Sequence, residues 1–227
     1  MSGIEGIMGT NAPIFESDEK LLRFAKQFLR DQIDGFRKDI RICLTMDHLR
    51  RHAYFPALIR CISFVDFLGG LHAGDIEDHG LSELQSYARK FMDTANYDDL
   101  VLGILYEGFR HKIAHLSDLY PVFDTSTKPK KFAAPHRRIT WTVYAGKRTP
   151  PIELIPYANP IFLRKTKTPW PVSYDHRIHI SLRSFANDIV KSINGPSGYF
   201  RHLQSSSSAR KNFEKSMQKF FSPQPTA

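Results

Sequence analysis

Near the middle of the 227-residue chain, Arg110 and His115 stand in the run Arg-His-Lys-Ile-Ala-His, with His111 directly after the arginine. Imidazole titrates near neutrality, so His115 is a candidate base or acid. The Arg110 guanidinium carries a permanent charge on a planar fork of donors that matches phosphate oxygens. Together the two suit metal-independent cleavage of a phosphodiester by its neighbouring 2′-OH. That reaction needs a base for the hydroxyl proton, an acid for the departing 5′-oxygen and positive charge for the crowded phosphorane. One histidine cannot be base and acid in the same step, so one copy of the pair lacks a proton-transfer group. A symmetric dimer supplies two.

The spacing alone carries little weight, because 17 Arg and 10 His in this length give about 0.75 such pairs by chance. Five residues advance about 500° on a regular helix, which leaves Arg110 and His115 roughly 140° apart in projection. The helix frays near His115, or the long arginine reaches round, or the site is assembled across a two-fold axis. His111 shares the face of His115 and is a supporting candidate. Asp66 is a second one: a carboxylate inside an apolar helix needs a partner, and Arg110 can provide it. The structural alternatives are Arg110 capping a carbonyl or pairing with Glu107 or Asp118, and His115 as a helix C-terminal histidine favoured by the dipole.

The elements that must position these residues are mostly helices. Ser17 is an N-cap followed by Asp18 and Glu19, and Leu21, Leu22, Ala25, Phe28, Leu29, Ile33 and Phe36 form one apolar stripe. A second helix opens near Pro56 and runs through LIRCISFVDFLGGLHAG; apolar nearly all round, it should be central. Ser82 and Gln85 have capping-box spacing ahead of a third helix through Tyr87, Phe91 and Met92. The motif helix is expected over 97–116, ending before Pro121. Leu182, Phe185, Ile189 and Ile193 share a face of a later helix that ends at Asn194 and Gly195, and a basic helix, SARKNFEKSMQKFF, follows the serines at 205–208.

Between these helices the composition changes. Residues 125–138 read as a linker rich in Lys, Pro, Ser and Thr. RITWTVYAG then alternates as a half-buried strand, Trp141 reads as a core residue of a hairpin, and shorter extended pieces are expected at 151–157 and 177–182. The many prolines argue for edge strands and loops, not a large sheet. The chain therefore divides into a loosely packed or disordered 1–16, a helical bundle with the motif at 17–120, a basic β-containing insertion at 121–181, C-terminal helices at 182–221 and a disordered tail at 222–227.

Residues 1–120 carry 14 Lys and Arg against 18 Asp and Glu, net −4, whereas residues 121–227 carry 18 against 5, net +13. The basic half is the candidate polyanion surface. Lys130, Lys131, Arg137, Arg138, Lys147 and Arg148 flank Trp141 and Tyr144, and Arg164, Lys165 and Lys167 flank Phe162 and Trp170. Cations interleaved with rings suit single-stranded RNA, whose phosphates pair while its bases stack. Cys43 and Cys61 lack any paired spacing and read as core residues. His48 and His52 sit beside Arg50 and Arg51, which would repel a cation, and His176 and His179 fall on opposite strand faces. Gly69 and Gly70 lack the Gly-Lys-Ser/Thr of a phosphate loop. No metal and no cofactor is expected. No stretch reaches the roughly 20 apolar residues of a membrane span, and the first residues resemble no export signal, so a cytoplasmic location is expected.

The RHKIAH run resembles the signature of the HEPN families: Arg, a polar residue, three residues, then His, in the last or next-to-last helix of a four- or five-helix bundle. FVDFLGGLHAG is similar to the central helix of HEPN-like proteins, and the resemblance covers residues 17–120 and 182–194, not the insertion. It implies a mainly α fold, a HEPN-like bundle with a small strand-containing insertion before the C-terminal helices. It also implies a homodimer packed on the motif helix, with Arg110 and His115 of both copies in a composite RNA-cleaving cleft. A toxin or phage-defence setting follows from the same resemblance, with an antitoxin or other protein as a further partner. The alternative is a non-catalytic HEPN-fold module that binds RNA, a nucleotide or a partner protein.

Overall fold

The computed structural model describes residues 14–47, 52–78, 80–111, 122–125, 136–163 and 170–222, and of His111 the backbone alone. Helix α1 (Asp18–Leu44) starts where the sequence places it, with the Ser17 hydroxyl accepting from the Lys20 N–H at 3.3 Å. Its stripe is buried and continues through Ile40 and Leu44. Phe15 packs against Phe24 and its N–H donates to Glu214, so ordered contacts begin ahead of the cap. Helix α2 (Tyr54–Ala73) opens two residues before Pro56 and ends at Gly74, whose φ of +83° is the left-handed conformation that glycine adopts without strain.

Helix α2 packs against α1, α3, the motif helix and the C-terminal helices, which makes it the centre of the bundle. The expectation that nothing here is long enough to span a membrane needs correction. By length and composition α2 is, but most of it is buried among the other helices. Its approach to α3 (Leu81–Phe91) depends on Gly69, where an added Cβ would lie 2.8 Å from the backbone of Glu83 and Leu84. That contact is the use of the glycine pair. Helix α3 starts earlier than the Ser82/Gln85 spacing suggests, because Glu83 Oε2 accepts the Gly80 N–H at 2.8 Å and fixes Gly80 as the cap.

The motif helix departs most from expectation. Only α4 (Asp99–Gly103), capped by Asp98, is α-helical, and Ile104–His111 continues as a π-helix. Its hydrogen bonds close over five residues instead of four, a winding usually confined to single turns. Residues 101–109 are buried without a break, so this segment is enclosed on all sides. Ring contacts enclose it: Phe109 meets Phe123 and Trp141, and the Phe123 ring lies 3.4 Å from where a Gly108 Cβ would stand.

The insertion forms one mixed sheet. Strands β1 (Phe123–Asp124), β2 (Arg138–Tyr144), β3 (Ile152–Phe162) and β4 (Ser173–Ser181) lie in the order β1-β2-β4-β3. β1 pairs antiparallel with β2 at Phe123–Asp124, while β2 runs parallel to β4 and β3 antiparallel to it, so Trp141 lies on the longer strand of a short β1–β2 pair, beside Ile178 of β4. Trp141 is half-buried against Phe55 and Phe109, in keeping with a packing role. Pro156 and Pro160 fall on β3, an edge strand, where a missing N–H costs no ladder bond. The two ends of the 125–138 segment meet, since the Thr125 N–H donates to the Arg137 carbonyl at 3.0 Å. Ile139, Ile152, Ile178 and Ile180 join the helical core, so the sheet and bundle share one interior. The molecule is mainly α with a small β insertion.

After the sheet come α5 (Leu182–Asn194), α6 (Tyr199–Ser205) and α7 (Ser207–Phe221). The apolar face of α5 is buried as its periodicity predicts. The short α6 has no counterpart in the sequence expectation. Serine 205 ends it, and the Ser206 side chain caps α7 by accepting from Ala209 N–H at 3.3 Å. Cys61 is buried and Cys43 half-buried, both as thiols. Burial pushes the Cys61 thiol far above its usual range.

Candidate functional site: the Arg110 cluster

Asp66 lies on the face of α2 turned toward the π-helix, and its side chain is 3% exposed. Arg110 Nη2 reaches its Oδ2 at 2.8 Å. The pairing anticipated for this carboxylate is therefore present, and Arg110 is not spent on Glu107. Arg110 Nη1 donates to the Tyr106 hydroxyl at 2.9 Å, and the guanidinium carbon lies 4.8 Å from the Tyr106 ring centre. Burial first, and then the nearby Asp66 charge, raise the Tyr106 hydroxyl above its ordinary pKa. Tyr106 was missed in the sequence, although a residue four positions before an arginine on a helix is a natural partner.

The guanidinium has five N–H donors, of which, among the described residues, Asp66 and Tyr106 take two. Its side chain keeps 31% of its surface exposed. It is an oriented cation, with one side anchored in the protein interior and the other partly exposed. The 140° separation estimated for Arg110 and His115 assumed α-winding, and the π-winding through His111 removes that premise. His115 lies outside the described residues, as does the His111 side chain.

The described basic residues of the insertion do not converge. Lys130 and Lys131 lie outside the described residues, together with Arg164, Lys165, Lys167 and His48. Arg138 opens β2, bonded to Ser173 Oγ at 2.9 Å with its backbone N–H on Asp175, and Arg137 precedes it. Lys147 and Arg148 follow the far end of the same strand, about 20 Å away at a strand's rise per residue. Arg148 stacks on Tyr144, 3.9 Å from the ring centre, above a small cavity that includes Glu153 and His179. Lys147 faces away toward α1. Phe162 and Trp170, 64% and 67% exposed, stand out at the free end of the β3–β4 pair. Among the described residues the basic and aromatic side chains thus form separate patches. His176 and His179 do fall on opposite faces of β4, and His176 Nδ1 bonds to Asp175 at 2.6 Å.

Elsewhere, His72 is enclosed by the rings of Tyr87, Phe91, Tyr199 and His202. Burial, with Lys90 and His202 adding to it, holds its pKa down at about 4. Lys90 Nζ lies 2.8 Å from His202 Nε2, and burial first, then Lys90, lowers the His202 pKa from its ordinary value. This cluster is a packed aromatic joint between α2, α3 and α6.

Fold and site thus define a mainly helical protein with a strand-bearing insertion and a buried Asp–Arg pair on a π-wound helix. Comparison with protein-family models, with curated proteins and with solved structures found no match.

Proposed function

We propose that this chain is a metal-independent endoribonuclease of the HEPN kind, acting as a homodimer whose shared cleft holds Arg110 and His115 of both copies. The supporting observation is the state of Arg110, a partly exposed guanidinium fixed by a buried carboxylate and a tyrosine, with three donors unused among the described residues. A cation oriented before the substrate arrives costs no reorganisation when charge develops on the phosphorane. In this reading Arg110 neutralises the non-bridging oxygens, one His115 takes the 2′-OH proton and the other protonates the 5′-oxygen. Asp66 and Tyr106 hold the arginine in place. A toxin or phage-defence role, with an antitoxin as partner, belongs to the same proposal.

One observation favours the second reading, a binding module without cleavage. An arginine committed as counter-charge to a buried carboxylate is also what a purely structural motif would contain.

The test is cleavage of single-stranded RNA in EDTA. Arg110→Lys is the informative variant, because it keeps a charge for Asp66 and removes the planar fork. Loss of cleavage in both Arg110→Lys and His115→Ala, with melting temperature preserved and a dimer in sedimentation, is the expected result. A monomeric or inactive wild type that still binds RNA would leave the module reading.

A further inference from the structure

Two cavities, of about 600 and 500 Å³, lie along the seam between α1 and the antiparallel α5. The first sits between Lys26–Arg37 of α1 and the α5–α6 corner; the second continues from Phe36 to Met46 along the first turns of α5. They meet at Arg37, which lines both, so they form one groove. Lys26, Arg30, Arg37 and Arg41 border it from α1, at spacings that place them in a single stripe. Across from them stand Lys147, Arg183 and Arg201. From Lys26 to Arg41 the stripe is about 22 Å long.

All seven cations are exposed, and among the described residues none is ion-paired, although α1 carries several carboxylates. Most of the carboxylates on and just before α1 are used elsewhere. Glu16 pairs with Lys20, Glu19 with Arg23, Asp39 with Arg60 and Asp18 with Arg210. Asp34 is the one acidic residue lining either cavity. Unpaired like charges held this close repel one another, so their concentration in a concave seam is a standing cost that an anionic ligand would relieve.

We infer that the α1–α5 groove is a binding track for a single-stranded polynucleotide, distinct from the Arg110 cluster and independent of whether that cluster cuts. The charge points to a polyanion, and the shape selects among polyanions. A concave seam follows a flexible strand and not a flat bilayer. An isologous contact between two copies on this face would set the cations against themselves. Between the cations the walls offer the half-buried ring of Phe200 and the amides of Asn187, Asn194 and Gln204, which can stack against and hydrogen-bond with bases. A run of peptide carboxylates has no rings that would use them.

The experiment measures binding of a fluorescent 2′-O-methyl oligonucleotide, which cannot be cleaved through its own 2′-oxygen, to the full chain across a salt series. Each phosphate neutralised contributes about −0.7 to the slope of log K against log salt, so engaging five to seven gives about −3.5 to −5. Arg30→Gln/Arg37→Gln/Arg41→Gln should weaken binding at least tenfold and make the slope shallower by about 2. Lys38→Gln/Lys211→Gln/Lys215→Gln removes the same charge from exposed positions outside the groove, and should change affinity less than threefold. Equal losses in the two triple variants, or an unchanged affinity in the first, overturn the inference. So does stronger displacement of the probe by poly-glutamate than by unlabelled DNA, or preferential capture by phosphatidylserine vesicles. Because the probe resists cleavage, a failed nuclease assay leaves this result unaffected.

Discussion

Replacing Arg110 by methionine removes the counter-charge 2.8 Å from a carboxylate that is only 3% exposed. Breaking a buried ion pair from one side costs about 3–5 kcal/mol. Because Arg110 keeps 31% of its side chain exposed, water can enter part of the vacated space, and we expect about 2–4 kcal/mol. The opposite change is cheaper. Asp66→Asn leaves an arginine that can turn its charge toward solvent, and should cost about 1–2 kcal/mol. In a chain of this size 1 kcal/mol moves the melting temperature by about 2–4 °C, so Arg110→Met should lower it by roughly 4–16 °C and Asp66→Asn by roughly 2–8 °C. The double variant should recover part of the loss, with a coupling of about 1–2 kcal/mol in a double-mutant cycle followed by urea unfolding. Equal costs for the two single variants, or additivity in the double, would refute the asymmetry argued from burial. The result also governs the nuclease assay, since an inactive Arg110→Ala protein reports on folding as much as on catalysis.

Two further outcomes follow from the packing. His72 has a folded pKa of about 4 against an ordinary 6.5, so the unfolded chain takes up its proton first as the pH falls. Its neutral, buried state is fully compatible with the fold above about pH 6.5, and stability should decline by about 2 kcal/mol from there down to pH 4. His72→Phe should flatten that part of a pH series of unfolding curves; an unchanged slope would exclude His72 as its source. Gly69→Ala should destabilise by about 1–2 kcal/mol despite alanine's better helix propensity, because its Cβ meets immovable backbone at 2.8 Å. Gly35→Ala on α1, where nothing lies within 4 Å, should stabilise by about 0.5–1 kcal/mol. Thermal melts showing the same sign for both glycines would contradict the account.

The apolar stripe of α1, the all-round apolar α2 and the buried face of α5 were legible because a period near 3.6, or its absence, reports directly which side of a helix leaves water. The need of Asp66 for a cation was legible for the same reason: burial of a carboxylate makes a demand that only a few residues can meet. The sheet was not. Period-two alternation marks a strand but says nothing about its neighbour, so the parallel β2–β4 pairing and the edge position of β3 are tertiary facts. The π-winding of 104–111 has no periodic signature when nine successive residues are buried. α6 is too short to show one.

A sum of charge along the sequence conceals the groove. Residues 1–120 sum to −4, so by sequence alone the positive excess belongs to the C-terminal half. A sum over sequence ignores faces, whereas α1 sends Lys26, Arg30, Arg37 and Arg41 to one side and pairs several of its acids away on others. The contrast with Arg110 is physical. Arg110 answers a buried charge, so the fold itself requires a cation there whether or not RNA is ever bound. The seven groove cations answer no carboxylate among the described residues, so replacing one should weaken polyanion binding and leave stability unchanged or slightly raised. For these two sets of cations, the sign of the stability change separates a charge that holds the protein together from a charge held ready for a ligand.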